Sequence, residues 1–153
     1  MNTISMRRAT CGDLPALVAL LADDALGRAR EQLTTPVAAV YHDAFDAIER
    51  DPNQELLVAT RGAAIVGMLQ LTFTPYLTHR GSWRATIEGV RVASAQRGAG
   101  IGRQMFDWAI ARARERGCRL VQLSTNKSRT GAIGFYQRHG FKATHEGMKL
   151  ALD

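Results

Sequence analysis

Arg97-Gly98-Ala99-Gly100-Ile101-Gly102 is the stretch of sequence that decides the fold of this chain. A strand-like run over residues 86–92 leads into it, and a helix-like run over residues 103–116 follows it. The glycines let the backbone approach a ligand closely and adopt dihedral angles that other residues avoid. Free N–H groups in the first turn of the following helix, together with the helix dipole, favour an anion at this point. The order of strand, glycine loop and helix therefore predicts a phosphate-binding loop.

Two common phosphate-binding loops do not fit this spacing. A dinucleotide fingerprint requires G-x-G-x-x-G, and Arg103 stands where its last glycine would fall. A P-loop requires Gly-Lys followed by Ser or Thr, and the chain contains no such triplet. The pattern present here is R-x-x-G-x-G.

A second motif lies nearer the end of the chain. Ser124-Thr125-Asn126 closes a predicted strand, and residues 132–141 have the sequence A-I-G-F-Y-Q-R-H-G-F, close to the pattern A-x-x-F-Y-x-x-x-G-F. The two motifs, in this order, resemble those of the GNAT superfamily of N-acetyltransferases, and the resemblance extends over nearly the whole chain. It implies that residues 97–102 hold the pyrophosphate of acetyl-coenzyme A.

Length and composition predict a single soluble domain over residues 1–153. The chain is 46% hydrophobic and 22% charged, as in a globular protein, and contains no apolar run long enough for a membrane span. The first residues are too polar for a signal peptide, so we expect a cytoplasmic protein. Cys11 and Cys118 have no metal-ligand spacing, and two free thiols fit a reducing compartment.

The net charge of +6 is compatible with a nucleic acid or with an acidic small ligand. Its basic residues are scattered along the chain, without a block of like charges. A triply phosphorylated coenzyme is sufficient to explain a positive cleft, so we expect no nucleic-acid partner and no membrane partner.

The predicted elements give an α+β fold. Strands are predicted at residues 4–9, 55–60, 63–73, 85–92 and 119–125, with a last strand in the tail through Met148 and Leu150. A first helix is predicted after the capping residues Thr10 and Asp13. A second is predicted from Pro36 onward and carries Val40, Ala44 and Ile48. Two more are predicted over residues 103–116 and 130–139. Arg61-Gly62 predicts a hairpin turn. This order predicts a mixed sheet, and the resemblance implies a mostly antiparallel one flanked by helices.

Gly89 lies inside a predicted strand, where a glycine often marks a bulge or a close backbone approach. In the superfamily the corresponding strand separates from its neighbour and pairs with the pantetheine arm. The resemblance therefore implies that Val90 and Val92 bind the coenzyme through their backbone groups.

Acetyl transfer to an amine requires removal of a proton, because an amine with a pKa of ~10.4 is neutral in roughly one molecule in 2,500 at pH 7. Glu88 is the candidate base, since no other acidic residue occurs between Glu55 and Asp107 and many GNAT enzymes keep a glutamate on this strand. A cross-strand ion pair is the alternative role of Glu88.

Tyr136 matches the family tyrosine that faces the coenzyme sulfur, with an aromatic core position as its alternative. Full proton transfer from a phenol near pKa ~10 to a thiolate near ~8.5 runs uphill, so we expect a hydrogen bond instead.

Besides Val90 and Val92, the resemblance implies coenzyme contacts in two further stretches of the chain. Those in the glycine loop are Arg97, Gly98, Ala99, Gly100, Ile101 and Gly102, and those nearer the end of the chain are Asn126 and Tyr136. Arg97 has a solvated loop position as its alternative role, and Asn126 a plain turn position. The four histidines show no metal spacing, and we expect no metal site.

The acceptor end is less well defined by the sequence. Leu123-Ser124-Thr125-Asn126, the Phe-Tyr pair and the closing Lys149-Leu150-Ala151-Leu152 resemble aminoalkylphosphonate N-acetyltransferases and related small-amine acetylators. Arg129 departs from the asparagine that the family often has at this position. We therefore expect direct acetyl transfer to a small primary amine, with a homodimer as a candidate assembly. A protein or peptide acetyltransferase, a non-catalytic coenzyme A sensor and a covalent route through Cys11 remain alternatives.

Overall fold

The computed structural model describes residues 3–153 and contains one five-stranded sheet in the order β1-β2-β3-β4-β5. Neighbouring strands from β1 to β4 are antiparallel, and β4 and β5 are parallel. The strands are β1 (Ile4–Arg8), β2 (Gln54–Arg61), β3 (Ala64–Pro75), β4 (Trp83–Val92) and β5 (Cys118–Leu123). The predicted mixed, mostly antiparallel sheet is thus confirmed.

Six helical segments surround the sheet. They are α1 (Leu14–Leu21), α2 (Ala25–Arg30), α3 (Ala39–Arg50), α4 (Thr78–Gly81), α5 (Ile101–Glu115) and α6 (Thr130–Arg138). The short α4 contains left-handed backbone at His79 and Arg80, with φ values of 54 and 62. Within the described residues, no helix combines the length and apolar character that crossing a bilayer requires.

Two apolar cores cover the two faces of the sheet. The larger one packs α5 against β2, β3 and β4, and Met105, Phe106, Ala109 and Ala113 of α5 are fully buried in it. The smaller one joins α1, α3 and the other face, through Leu14, Leu17, Phe45, Val58 and Met68 among others. Burial of these stripes provides most of the driving force for docking the helices.

The helix predicted from Pro36 is present, but its start and the buried part of its apolar side differ from the prediction. The helix α3 begins at Ala39, and Pro36 lies in the preceding loop, where its carbonyl accepts a hydrogen bond from Thr34 Oγ1 at 2.9 Å. Phe45 is the buried residue of α3, whereas Val40 is 61% exposed. The apolar residues lie on one side of α3, and docking against the smaller core buries the Phe45 edge of that side and leaves the Val40 edge exposed.

The hairpin turn between β2 and β3 lies one residue later than predicted. Arg61 still pairs with Ala64, so the turn residues are Gly62 and Ala63. Gly62 has a φ of 61, a left-handed value that glycine adopts without strain. The requirement for this backbone conformation places the glycine first in the turn.

The predicted last strand is absent from the structure. Residues 139–153 form neither helix nor strand, and Met148 and Leu150 are 92% and 85% exposed. A strand requires a neighbour for its backbone groups, and no other strand of the described chain lies alongside this tail.

A buried carboxylate ties the sheet to α5, and the sequence did not predict it. Glu55 of β2 is 2% exposed and accepts bonds from Arg112 at 2.7 and 3.1 Å. Arg8 of β1 contributes a further contact at 3.1 Å, and Arg116 lies 3.6 Å away. Several arginines thus share one buried negative charge, which is the arrangement that a buried carboxylate requires.

Candidate active site

A bulge interrupts β4 at Gly89, as the sequence predicted. Glu88 lies opposite Gln70 of β3, and the next pair in the register joins Arg91 to Met68. Between these pairs β4 therefore contains one residue more than β3. Gly89 accommodates the extra residue with a φ of 59, the conformation of a glycine bulge.

This bulge decides which face of the sheet each side chain of β4 occupies. Val90 and Val92 pack with Ile87 in the larger core, on the α5 side. Glu88 and Arg91 lie on the opposite face, because their β3 partners lie on that face. In a regular strand, two residues three positions apart would point to opposite faces. The extra residue brings Glu88 and Arg91 to the same one.

β4 and β5 separate at the level of the bulge. Their last pair joins Ile87 to Leu123. Beyond it β4 continues to Val92, whereas the chain after β5 turns into the loop over residues 124–129. The inner edge of β4 therefore has no strand partner there, and its backbone groups face a cleft. This is the separation that the resemblance implied.

The glycine loop lies at the end of this cleft. Gly98 and Gly100 have φ values of 84 and 77, and α5 begins immediately afterwards at Ile101. The first backbone bond of α5 runs from Gln104 N to Gly100 O at 3.2 Å, so the N–H groups of residues 101–103 precede the helical ladder. Added Cβ atoms at Gly98 or Gly100 would meet nothing within 4 Å, which leaves the loop open on that side. The free N–H groups at the start of α5 and the open space beside the loop have the geometry that an anion site at a helix N-terminus requires.

Other groups of the loop turn inward. Arg97 N and Ala99 N form long turn bonds of 3.4 Å to the carbonyls of Ser94 and Gln96. The Arg97 side chain also folds back, and its Nε donates to Val92 O at 3.4 Å. The free N–H groups of the first α5 turn are thus better placed for an anion than the Arg97 guanidinium is in this conformation.

Tyr136 projects from α6 between the aromatic core and the cleft. Its ring centroid lies 5.5 Å from that of Phe106. Burial raises the pKa of Tyr136, while the charges of Arg129 and Arg91 and a hydrogen bond with Thr125 act in the opposite direction. The hydroxyl is therefore protonated at neutral pH and lies within the field of two arginines.

The comparison with protein families agrees with this geometry. A model described as "Acetyltransferase (GNAT) family" matches residues 17–141. The chain belongs to the GNAT acetyltransferase family. Members of this family are acyltransferases that use acetyl-coenzyme A. The matched residues include the β4–β5 cleft, the glycine loop and Tyr136.

Among characterised GNAT proteins, the chain resembles enzymes that acetylate small molecules. It is 33% identical over 152 residues to an aminoalkylphosphonate N-acetyltransferase of Salmonella typhimurium, covering 99% of this chain and 94% of the relative. It is also 33% identical over 147 residues to an L-methionine sulfoximine/L-methionine sulfone acetyltransferase of Pseudomonas paraeruginosa, covering 90% and 80% of the two chains.

Among solved structures, the chain resembles a Bacillus halodurans protein named as a transcriptional regulator. The two share 57% sequence identity with a TM-score of 0.96, over 98% of this chain and 100% of the other. The two chains therefore share one fold over almost all of their length.

Glu88 is exposed on the cleft-side face of β4 in this acetyltransferase. The structure shows no ion pair to its carboxylate within residues 3–153. The alternative role predicted for Glu88, a cross-strand ion pair with an arginine, is therefore not present in the described chain.

Asn126 organises the loop after β5. Its Oδ1 accepts bonds from Ser128 N at 2.9 Å and Ser128 Oγ at 2.7 Å, and its carbonyl accepts one from Arg129 N at 2.9 Å. The side-chain oxygen is thus engaged in a turn, which was the alternative role. This turn also fixes the start of α6 and hence the position of Tyr136.

Arg91 was not predicted as a site residue from the sequence. Arg91 is half-buried, its Nε lacks a hydrogen-bond partner in the described chain, and its Nη1 donates to Val90 O at 2.8 Å. Burial lowers the pKa of Arg91, and the nearby charge of Arg129 lowers it further. An arginine between two valines in a strand was the available signal, because buried strands rarely hold an unpaired charge.

Arg129 joins the two sides of the cleft. Its Nη1 lies 2.8 Å from Oδ2 of Asp24, the residue that caps α2 by accepting a bond from Gly27 N at 2.6 Å. The neighbouring Asp23 accepts a bond from Ser94 N at 3.0 Å, just after β4. The turn between α1 and α2 is thus held across the face of β4 that contains Glu88 and Arg91.

Cys11 lies in a different cavity. Its Sγ is 3.7 Å from His42 Nδ1, and both residues line a cavity together with Pro15, Thr34 and Val37. The lining of this cavity includes none of the residues that form the β4–β5 cleft. No group of three or more His, Cys, Asp or Glu side chains could hold a metal ion in the described part of the chain.

Proposed function

We propose that this chain is an acetyl-coenzyme A-dependent N-acetyltransferase whose acceptor is a small primary amine with an anionic group. The observation that carries the proposal is the position of the cleft. The free N–H groups at the start of α5 lie at one end of the cleft. Glu88, Arg91 and Tyr136 lie along its open side. A donor with phosphates and an acceptor with an anion can therefore approach the same point from two directions. We further propose that residues 1–153 form one domain, and that the enzyme is a cytoplasmic homodimer.

The donor site uses the backbone more than side chains. The N–H groups of residues 101–103 and the α5 dipole provide an anion site for the pyrophosphate. The edge of β4 at Val90 and Val92 has no strand partner. Its carbonyls accept bonds from the side chains of Arg91 and Arg97, which an extended pantetheine arm would replace with its own amide groups. The left-handed Gly100 leaves open space above the loop, so that phosphates can approach the backbone.

The amine is activated by Glu88 in this proposal. Glu88 is exposed on the β4 face that the α1–α2 turn partly covers, and it has no competing ion pair in the described chain. Its carboxylate accepts the ammonium proton, directly or through water, before the amine nitrogen attacks the thioester carbonyl. The transfer is direct, since Cys11 lines a cavity separate from the cleft.

Tyr136 stabilises the leaving thiolate by donating a hydrogen bond. Burial raises the pKa of the Tyr136 phenol, so complete proton transfer to a thiolate is even less favourable than for an ordinary tyrosine. A donor directed at the developing charge achieves the stabilisation without that transfer.

The acceptor anion binds to Arg91 and Arg129. Both guanidiniums act on the pKa of Tyr136, so both lie near the reacting end of the cleft. Asp24 balances only one of the two positive charges, and Arg91 has an unpaired Nε. Phosphonates and carboxylates are natural partners for such a pair. The names of the two relatives, which specify a phosphonate and an amino acid derivative, support the same class of acceptor.

Several of the basic residues form ion pairs within the fold, which argues against a nucleic-acid-binding face. Arg8, Arg112 and Arg116 surround Glu55, and Arg129 binds Asp24. A protein acetyltransferase requires an open groove for a peptide, whereas the α1–α2 turn is tied across β4 here. A coenzyme A sensor without turnover would need neither Glu88 nor Tyr136.

An amine panel tests the proposal. Release of free thiol from acetyl-coenzyme A is measured with an aminoalkylphosphonate, an amino acid sulfoximine, a neutral amine of similar size, an aminoglycoside and a lysine peptide. We expect the highest kcat/KM for the amines with an anionic group. Turnover confined to the peptide, or coenzyme binding without turnover of any amine, would contradict it.

A further inference from the structure

The carboxylate of Asp24 lies against one of the guanidiniums that the proposed function gives to the acceptor. Its Oδ2 is 2.8 Å from Nη1 of Arg129, and both side chains are partly buried. A hydrogen bond from Gly27 N lowers the pKa of Asp24 against the opposing effect of burial, and the charges of Arg129 and Arg91 lower it further. Asp24 is therefore ionised at neutral pH and neutralises Arg129.

Asp24 is held in this position by bonds that do not involve Arg129. Its Oδ1 accepts a bond from Gly27 N at 2.6 Å and thereby caps α2. On the other side of the same turn, Asp23 Oδ2 accepts a bond from Ser94 N at 3.0 Å. An anion that pushed Asp24 aside would also remove the cap of α2, which costs about 1 kcal/mol. The negative charge beside Arg129 is thus a built-in part of the cleft.

The charges around Arg91 leave one positive charge without a partner. Burial lowers the pKa of Arg91, and Arg129, Asp24, Arg30 and Glu31 act on it as neighbouring charges. Arg30 Nε and Glu31 Oε1 lie 2.6 Å apart, so these two charges balance each other, as those of Arg129 and Asp24 do. Arg91 forms no ion pair among residues 3–153. Three guanidiniums and two carboxylates give a net charge of one.

The other titratable groups that face this cluster are already assigned or uncharged. Glu88 lies on the same face of β4 as Arg91, and the proposed function gives it to the ammonium of the acceptor. Burial raises the pKa values of Tyr136 on α6 and Tyr41 on α3, so both phenols are neutral. The hydroxyl of Tyr41 donates to Glu31 Oε2 at 3.0 Å. The cleft therefore offers one negative charge to the amine and one positive charge to the anion.

We propose that Asp24 restricts the acceptor to an anionic group with a single negative charge. A carboxylate, a sulfonate or a singly protonated phosphonate matches the one uncompensated guanidinium. A phosphonate dianion would bring its second charge beside the Asp24 carboxylate, which cannot move away without uncapping α2. Like charges in a partly buried site repel more strongly than they do in water. This inference rests on the proposed function and deepens it by naming the charge of the acceptor.

Two amines with tetrahedral anionic groups test the restriction. The sulfonate of 2-aminoethanesulfonate keeps one charge, whereas 2-aminoethylphosphonate gains its second charge near neutral pH, as a phosphate monoester does. KM is measured for both amines at pH values below and above this ionisation, with acetyl-coenzyme A saturating. The ratio of KM for the phosphonate to KM for the sulfonate cancels the effects of pH that the two amines share, including the ionisation of Glu88.

We expect this ratio to rise in the parent as the phosphonate loses its second proton. In Asp24→Asn the rise should disappear, since the amide oxygen still caps α2 but the negative charge is gone. Coulomb energy is proportional to the charge of the ligand, so a threefold gain for the sulfonate, on the order of 0.7 kcal/mol, becomes about tenfold for the dianion. Asp23→Asn is the matched control, because it removes the same charge from the neighbouring side chain that bonds Ser94 N. It should behave as the parent does.

A ratio with the same pH dependence in the parent and in Asp24→Asn would overturn the charge restriction and leave the N-acetyltransferase intact. The parent provides a second test that depends on no variant, because a KM for the phosphonate that falls relative to the sulfonate above the ionisation would also overturn it. Acetylation of a neutral amine with turnover of neither anionic amine would instead contradict the anionic acceptor itself, and the restriction with it.

Discussion

Glu88 and Arg91 lie on the same face of β4 although they are three residues apart, because the bulge at Gly89 inserts one residue between them. A carboxylate and a guanidinium are thereby presented to the same side of the cleft. On the opposite face Val90 and Val92 complete the larger core. One glycine thus decides which side chains of β4 pack in the larger core and which lie on the opposite face.

Arg91 should determine the preference for an anionic acceptor. We expect Arg91→Gln to raise KM for an aminoalkylphosphonate by about 10–100-fold, since a hydrogen bond to a charged group contributes roughly 1.5–3 kcal/mol. The KM for a neutral amine of similar size should change little. Steady-state kinetics with both amines check this, and Arg84→Gln is the control on the same strand and face. An equal loss for both amines would show that Arg91 is structural.

Gly100 should be required for coenzyme binding. Gly100→Asn keeps a residue that tolerates left-handed backbone, and its side chain would occupy the open space above the free N–H groups. We expect calorimetry to show a loss of acetyl-coenzyme A affinity of at least tenfold. Gly117→Asn is the matched control, because Gly117 has a similar φ of 73 at the other end of α5. Equal affinity in the two folded variants would remove the loop from the donor site.

Tyr136→Phe should lower kcat by about 10²-fold, since one donor directed at developing charge contributes roughly 3 kcal/mol in a dry site. Coenzyme affinity should be nearly unchanged, because the ring and its packing on Phe106 remain. Single-turnover kinetics at saturating substrate separate the two quantities. A variant with the kcat of the parent would assign Tyr136 to packing alone.

Glu88→Gln should change the pH dependence as well as the rate. The variant keeps the shape and a hydrogen-bond acceptor but cannot accept a proton, so kcat at pH 7 should fall by ~10²-fold or more. As the pH rises toward the pKa of the amine, more amine is already neutral and activity should partly recover. Glu49→Gln, on the exposed side of α3, is the control. A constant loss at every pH would indicate that Glu88 only positions the acceptor.

Glu55→Gln should destabilise the fold. The substitution removes the negative charge shared by Arg8, Arg112 and Arg116. We expect the free energy of unfolding to fall by about 2–3 kcal/mol. This loss is smaller than for a fully buried ion pair, because the arginines are partly solvated. Urea unfolding measures the loss. Glu115→Gln is the control, because it removes an exposed partner of the same Arg112, 3.1 Å away, and should cost less than about 1 kcal/mol.

Local patterns were sufficient to predict most of the elements. The α5 helix, the glycine-rich turn before it and the strands β1 to β5 depend on patterns within one segment, and the structure contains each of them. The α3 helix shows where this stops. Its apolar residues form one side of the helix, and only the position of the smaller core buries Phe45 and leaves Val40 exposed.

By itself, the sequence determined the order of most strands and helices, the glycine loop between β4 and α5, and the family, because each depends on residues that are close together in the chain. Tertiary structure alone decided the neighbours of Arg91 and Arg129, since Asp24 lies far away along the chain. It also decided that Glu55 carries a buried charge and that the tail has no strand partner in its own chain. These properties arise from contacts between distant segments, whose geometry depends on how the whole sheet twists and packs, and no local spacing of residues records them.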